Sequence, residues 1–169
     1  MQPFVHLHVH SQYSVLDGQA SVKALVDKAI ANGMRGIALT DHGNMFGIKE
    51  LTDYVNKKNK DVDGEIKNLK KTIEELKSAD AVDQEALSKA ETALKEAESK
   101  IFTPIIGCEM YVADNDMTDR SNKKDIGRHL IVLAKNQHGY HNLIKLVSNA
   151  WTDGYYYHPR TDKKQLEKY

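Results

Sequence analysis

Along the first part of the chain the hydrophobic period switches between two and about 3.6. Phe4, Val5, Leu7 and Val9 interleave with His6, His8 and His10, which predicts a strand over residues 4–10. Val22, Leu25, Val26, Ala29 and Ile30 then recur at helical spacing, with Ser21 placed to cap the helix and Asn32-Gly33 to end it. The apolar run Gly36-Ile37-Ala38-Leu39-Thr40 predicts a second strand, halted by Asp41-His42-Gly43-Asn44. A second helix follows, with Phe46, Ile48, Leu51 and Val55 as its inward positions. Strand, helix, strand, helix is the order of a parallel α/β sheet or barrel.

The pattern then changes character. Residues 57–100 hold no aromatic side chain and mix both charges densely. Ile66, Leu69, Ile73 and Leu76, then Leu87, Ala90, Leu94, Ala97 and Ile101, form two narrow stripes at three-four spacing, each about as wide as a two-helix seam. A turn at residues 78–83 makes them the arms of an antiparallel helical hairpin, residues 58–101, inserted into the α/β unit. Arms of this length project roughly 20–30 Å. The hairpin is expected to be a solvated spacer, with a partner-binding arm as the alternative. The α/β pattern resumes with a third strand over residues 103–112, a polar loop over 114–125 and a fourth strand over 129–134. A helix over 138–151 carries Tyr140, Leu143, Ile144 and Val147 on one side. After the Asp153-Gly154 turn and three tyrosines, Thr161 or Asp162 can cap a last helix.

Composition narrows the function classes. Twenty-four basic residues balance 24 acidic ones, so overall charge gives no footprint for gripping a phosphate backbone unaided. The single cysteine, Cys108, excludes a disulfide framework and a thiolate zinc site, and fits a reducing compartment. No apolar run is long enough to span a membrane and no leader pattern opens the chain, so a cytoplasmic protein is expected.

The chemistry lies in the histidines and carboxylates. Side chains alternate along a strand, so His6, His8 and His10 share a face, with same-face neighbours about 6.5–7 Å apart. Two imidazoles at that separation can converge on one divalent ion; binding to backbone or water is the alternative. Asp17 lies in the loop after strand one, His42 follows strand two, and Glu109 lies within strand three. Parallel α/β folds gather ligands at the carboxyl ends of strands. His10, Asp17, His42 and Glu109 obey that rule, whereas His129, opening strand four, fits it poorly. Histidine and carboxylate without thiolate suit zinc, manganese or iron, and a cluster of this size can hold two or three ions. Glu109 is the natural bridge between two metals, which would together promote phosphoryl displacement. Cys108, its neighbour, points to the opposite face and is expected to be a small buried hydrophobe.

Four stretches in order, FVHLHVHSQYSVLDG, ALTDHGNMFG, PIIGCEMYVA and HLIVLAKNQHGYHNLIKLVS, resemble the polymerase and histidinol phosphatase (PHP) domain at the N-terminus of bacterial DNA polymerase III alpha subunits. The resemblance implies part of a distorted parallel, TIM-like β/α barrel carrying a trinuclear metal site. Position by position it assigns His8, His10, Asp17, His42, Glu109 and His129 as metal ligands, with His42 and Glu109 the catalytic candidates. His6 matches no ligand position. It implies that residues 1–169 are the N-terminal part of such a domain, cut before its last strands and ligands. The metal site would then be incomplete, and exposed barrel edges would invite self-association. The implied parent is a replicative DNA-directed DNA polymerase, a nucleotidyltransferase that meets DNA and other replisome subunits. Three readings of the domain stay open: a metal-dependent phosphoesterase with 3′–5′ exonuclease activity, a scaffold docking a proofreading exonuclease subunit, and a free-standing PHP phosphatase.

Overall fold

Why the chain builds what it does is clearest in β2, the strand around which everything else is arranged. A computed structural model describes residues 4–79 and 83–169. Its order is α1 (Val22–Ala31), β1 (Gly36–Leu39), α2 (Ile48–Ser78), α3 (Gln84–Lys100), β2 (Thr103–Val112), β3 (Arg128–Leu133), α4 (Gln137–Thr152), β4 (Tyr155–Tyr156), β5 (His158–Thr161) and α5 (Lys163–Lys168). Along its first four residues β2 pairs in parallel with β1, from Gly36 opposite Thr103 to Leu39 opposite Ile106. Along its last six it pairs antiparallel with β3, and at Tyr111 and Val112 it pairs in parallel with β5. β4 closes a short antiparallel hairpin onto β5.

The sheet is therefore mixed and open rather than all-parallel and closed. The expectation of a uniformly parallel arrangement fails at β3, which follows β2 through the polar loop without a crossover helix and must return antiparallel. The tyrosine run likewise forms the β4–β5 hairpin, which periodicity did not reveal because its strands are only 2 and 4 residues long.

Residues 4–10 do not form a regular strand. They run beside β1, where Ala38 N–H donates to His6 O at 2.9 Å and Thr40 N–H donates to Val9 O at 2.9 Å. Two residues of advance on one chain meet three on the other, so one extra residue is accommodated between His6 and Val9. Val9 N–H is taken by the Thr40 hydroxyl at 2.8 Å instead of a carbonyl. An extra residue moves side chains to the other face, which separates His6 from His8 and His10. His6 packs edge-on against Phe4, with ring centroids 4.8 Å apart.

Two apolar clusters hold the layers together. Val22, Val26 and Ala29 of α1 pack with Ile37 and Leu39 of β1, the first turns of α2 (Ile48, Leu51, Val55) and Phe102. Cys108 and Met110 of β2 pack against Leu143, Leu146, Val147 and Ala150 of α4, and Met45 and Ile106 touch both clusters. All four β1 residues are buried, as expected for a parallel strand covered on both faces. Phe46, predicted to face inward, precedes α2 and is 70% exposed.

After Val55, α2 leaves the core without a break. Its 31 residues form one helix, about 46 Å long at 1.5 Å per residue. α3 returns antiparallel, with Lys77–Glu91, Lys70–Glu98 and Lys100–Glu65 contacts at 3.0, 3.4 and 3.7 Å marking the pairing. The expected pair of helices is present, although the first arm is the continuation of a core helix. The central residues of the predicted turn, 80–82, lie outside the described residues. At the base of the arms Asn59 Nδ2 donates to Phe102 O at 2.8 Å and Phe102 N–H donates to Asn59 Oδ1 at 3.1 Å. That reciprocal pair joins the outgoing and returning chains where they meet the core.

Candidate metal centre

Glu109 is fully buried at the middle of β2, yet both its oxygens face imidazoles. Oε2 contacts His8 Nε2 and lies 2.9 Å from His10 Nε2, and those two nitrogens are 3.1 Å apart. Oε1 lies 3.0 Å from His42 Nδ1 and 2.6 Å from His129 Nδ1. On its other side His42 presents Nε2 to Asp17 Oδ2 at 3.0 Å, and Asp17 is 4.0 Å from His10 Nδ1. All six residues singled out in the sequence as ligands thus meet in one cluster, and His6 stands outside it.

Each arrives for a local reason. His8 and His10 flank Val9, and their Nε2 atoms meet on one face, 3.1 Å apart. His42 sits where β1 runs on past its last regular residue, as an isolated parallel bridge opposite Glu109. Gly43 then turns the chain away at φ 59°, and a Cβ there would lie 2.4 Å from Pro159 Cγ. His129 is explained by the antiparallel return of β3: the start of that strand lies beside the end of β2, directly opposite Tyr111. The rule of strand carboxyl ends fails for His129 because β3 runs the other way.

Asp41, not among the sequence candidates, organises the loop that carries Asp17. Its buried carboxylate accepts from Ser11 N–H at 2.6 Å, Ser11 Oγ at 2.8 Å and Ser14 Oγ at 2.7 Å. Two further neighbours were also missed. The Tyr111 hydroxyl lies 3.0 Å from His42 Nδ1, and the Tyr111 ring stacks on His158 at 4.4 Å. Tyr111 was legible in principle, two residues beyond Glu109 on the same face; His158 was not, because β5 was not foreseen.

Electrostatics set the protonation of the cluster. Burial pushes the Glu109 carboxyl up, but hydrogen bonds to His8 and His10 and the charge of His42 and His129 more than offset it, leaving Glu109 below its ordinary value. The His42 contact likewise holds Asp17 low. Burial, reinforced by Glu109 and Asp17, pushes the Tyr111 phenol up to about 12, so it remains a hydrogen-bond donor. Burial, then His129 and His42, hold His158 below the usual imidazole range.

The donor set fits metal ions on geometry as well as chemistry. Among the described residues Glu109 Oε1 is buried without a hydrogen bond, although two imidazole nitrogens lie within 3.0 Å of it. A metal ion placed between these imidazoles and the carboxylate would give that oxygen a partner. Donor atoms sharing one tetrahedral ion at about 2.0–2.1 Å stand about 3.3 Å apart, close to the 2.9 and 3.1 Å separations around His10. Two triads, His8–His10–Glu109 and His10–Asp17–His42, each bring one donor atom per residue within 4.8 Å of the others. Four imidazoles and two carboxylates with no thiolate favour zinc, manganese or iron over calcium or a cluster of iron and sulfur.

A mixed α/β sheet that collects histidines and carboxylates around one buried glutamate is consistent with a metal site. The chain belongs to the PHP domain family, whose model matches residues 6–169. It is 39% identical over 171 residues to the DNA polymerase III subunit alpha of Borreliella burgdorferi, covering 98% of this chain and 11% of that protein. Against the subunit of the same name from Treponema pallidum the identity is 40% over 169 residues, with the same coverages. For Campylobacter jejuni it is 35% over 170 residues, covering 100% of the chain and 10% of the relative. The chain therefore spans about a tenth of the length of the curated relatives it matches.

Proposed function

We propose that this chain is the N-terminal part of the PHP domain of a replicative DNA-directed DNA polymerase, a DNA polymerase III alpha subunit, and that its histidine–carboxylate cluster serves phosphodiester hydrolysis there, removing nucleotides from DNA 3′ ends. The observation that carries the reading is Glu109, one oxygen facing His8 and His10 and the other facing His42 and His129. Divalent zinc, manganese or iron, up to three in a complete domain, would supply a water nucleophile at neutral pH and neutralise charge on the phosphoryl group. His8, His10 and Glu109 would hold one ion; Asp17, His42 and His129 complete the set. Buried Glu109 fixes the two halves of the cluster relative to each other, and the protonated Tyr111 phenol orients the His42 ring.

The test is manganese- or zinc-dependent 3′ exonuclease activity of the full-length protein against its His8→Ala, His10→Ala variant. Loss of activity in the variant is expected, and equal activity in both overturns the reading. Nucleotidyl transfer itself, contact with template DNA, a cytoplasmic location and contacts with replisome subunits belong to the full-length polymerase in this proposal. Among the described residues no helix is long and apolar enough to cross a membrane.

One observation favours a supporting role as well. The cluster ties together residues 8–17, the end of β1, the middle of β2 and the start of β3, so bound ions would brace the fold. In that reading the domain is a scaffold, able to dock a proofreading exonuclease subunit, and the double variant melts at lower temperature without a defect in synthesis by the whole enzyme.

A further inference from the structure

A second feature adjoins the metal centre. A cavity of about 380 Å³ has Asp17 and His42 in its wall, and the rest of that wall is largely aromatic. Trp151 and Tyr155 stack with centroids 5.5 Å apart and planes 18° from parallel, yet they are 46% and 48% exposed. The indole is fixed in place because Nε1–H donates to Gly43 O at 2.7 Å, on the residue next to His42. Tyr157, also in the wall, is 68% exposed and adopts φ 59°, the single non-glycine residue with positive φ among the described residues.

That conformation is costly for a tyrosine, and the ring, which meets Tyr156 edge-on at 4.7 Å, stays largely exposed. A residue held in the left-handed region is of order 1 kcal/mol or more above a relaxed one, and such outliers concentrate at functional sites. Glycine would relieve the strain. A half-open π stack anchored to the backbone beside His42, with a strained tyrosine across the same cavity, has the chemistry of a platform for flat aromatic ligands.

We propose that Trp151, Tyr155 and Tyr157 form a nucleobase-stacking subsite, which holds the terminal base of a single-stranded 3′ end while its phosphodiester lies against the Asp17–His42 side of the centre. This deepens the hydrolytic reading and rests on it for the role of the subsite, though the binding itself does not require metal. A stacking platform accepts any base and disfavours a paired one, because a terminal base in a duplex keeps one face covered by its neighbour and its pairing edge engaged. The substrate class is therefore unpaired termini of any sequence.

The experiment uses Trp151 as its own reporter, since it is the one tryptophan in the chain. Tryptophan emission is titrated in EDTA with a short oligothymidylate, an abasic strand of equal length and a blunt duplex. The oligothymidylate is expected to quench emission and bind about five- to a hundredfold more tightly than the abasic strand, the range given by stacking one base. Tyr157→Gly is expected to weaken oligothymidylate binding at least fivefold while its melting midpoint stays level or rises. Equal affinity for abasic and base-bearing strands, preference for the duplex, or undiminished binding by Tyr157→Gly overturns the subsite. Hydrolysis of the abasic strand with manganese is measured separately. Its presence without base preference removes the subsite and spares the hydrolytic reading, whereas base-dependent quenching without hydrolysis under any metal does the reverse.

Discussion

At the scale of single residues, the centre depends on groups whose charge is dictated by their surroundings. Asp41 is the test of positioning. Its carboxylate accepts three hydrogen bonds from Ser11 and Ser14, and its backbone carbonyl accepts from Glu109 N–H at 3.1 Å. Asp41→Ala leaves three donors without their charged partner, so a loss of about 2–4 kcal/mol in urea unfolding is expected, together with weaker metal uptake. A variant as stable as the parent would contradict the assignment. Cys108 tests the other face. Burial, aided by Asp41 and Glu109, pushes its thiol up to about 12 from an ordinary 9.0. Because the folded value is raised, the native state holds this proton more tightly than the unfolded chain. The resulting stability is complete below about pH 9 and is lost as pH rises toward 12. Iodoacetamide at pH 8, followed by mass spectrometry, should label Cys108 in urea and leave it unlabelled in buffer.

Sequence revealed these residues unevenly. His10, Asp17, His42 and Glu109 could be gathered from strand ends, because parallel α/β topology sends them to one place, and His8 followed from its alternation with His10. His129 could not, since its placement depends on the direction of β3. His6 could not be separated from His8 by alternation, because the extra residue before Val9 lies in the pairing with β1 and leaves no mark in composition. Buried Arg160 was overlooked for a related reason. It donates to the Met117, Asp119 and Asp125 carbonyls, each at 2.8 Å, which no local pattern announces.

At the scale of elements, the helical arms and the sheet are energetically separate. Beyond Asn59, the buried positions of α2 and α3 are Ile73 and Ala97, which lie in the seam between the two arms. Replacing residues 63–98 with a short flexible linker is therefore expected to leave metal uptake unchanged and to shift the melting midpoint only slightly. Collapse of the α/β core in circular dichroism would show that the arms support it. Asn59→Ala should be worse than removing the arms, by about 1–3 kcal/mol, because the N–H and carbonyl of Phe102 both lose their partner inside the protein. The three-four stripes identified these helices from sequence. What periodicity could not show is that α2 has no break between core and arm, since the apolar stripe is interrupted by the polar run at residues 56–61, where Asn59 takes the buried position.

For the molecule as a whole, the candidate centre is built from segments far apart in the chain, so metal bound there would be coupled to folding. An ion bound only by the folded state at a hundred times its dissociation constant adds about 2.7 kcal/mol. For a domain of this size that is a midpoint shift of about 5–10 °C. Chelation should lower the melting temperature by that amount and readdition of manganese or zinc should restore it. An identical midpoint with and without chelator would remove the bracing role. Uptake should also weaken as the solution is acidified, because imidazole and carboxylate donors bind only when deprotonated.

β2 carries a last consequence. A strand has two parities, and this one spends both: Glu109 and Tyr111 on the chemical side, Cys108 and Met110 on the greasy side. Shifting its pairing by a single residue would exchange them, burying the carboxylate among leucines and pointing a thiol and a thioether at the imidazoles. No misregistered form can keep the full oxygen and nitrogen donor set. Metal capture would therefore work as a checksum on assembly, selecting the correctly aligned chain from its near neighbours before any chemistry begins.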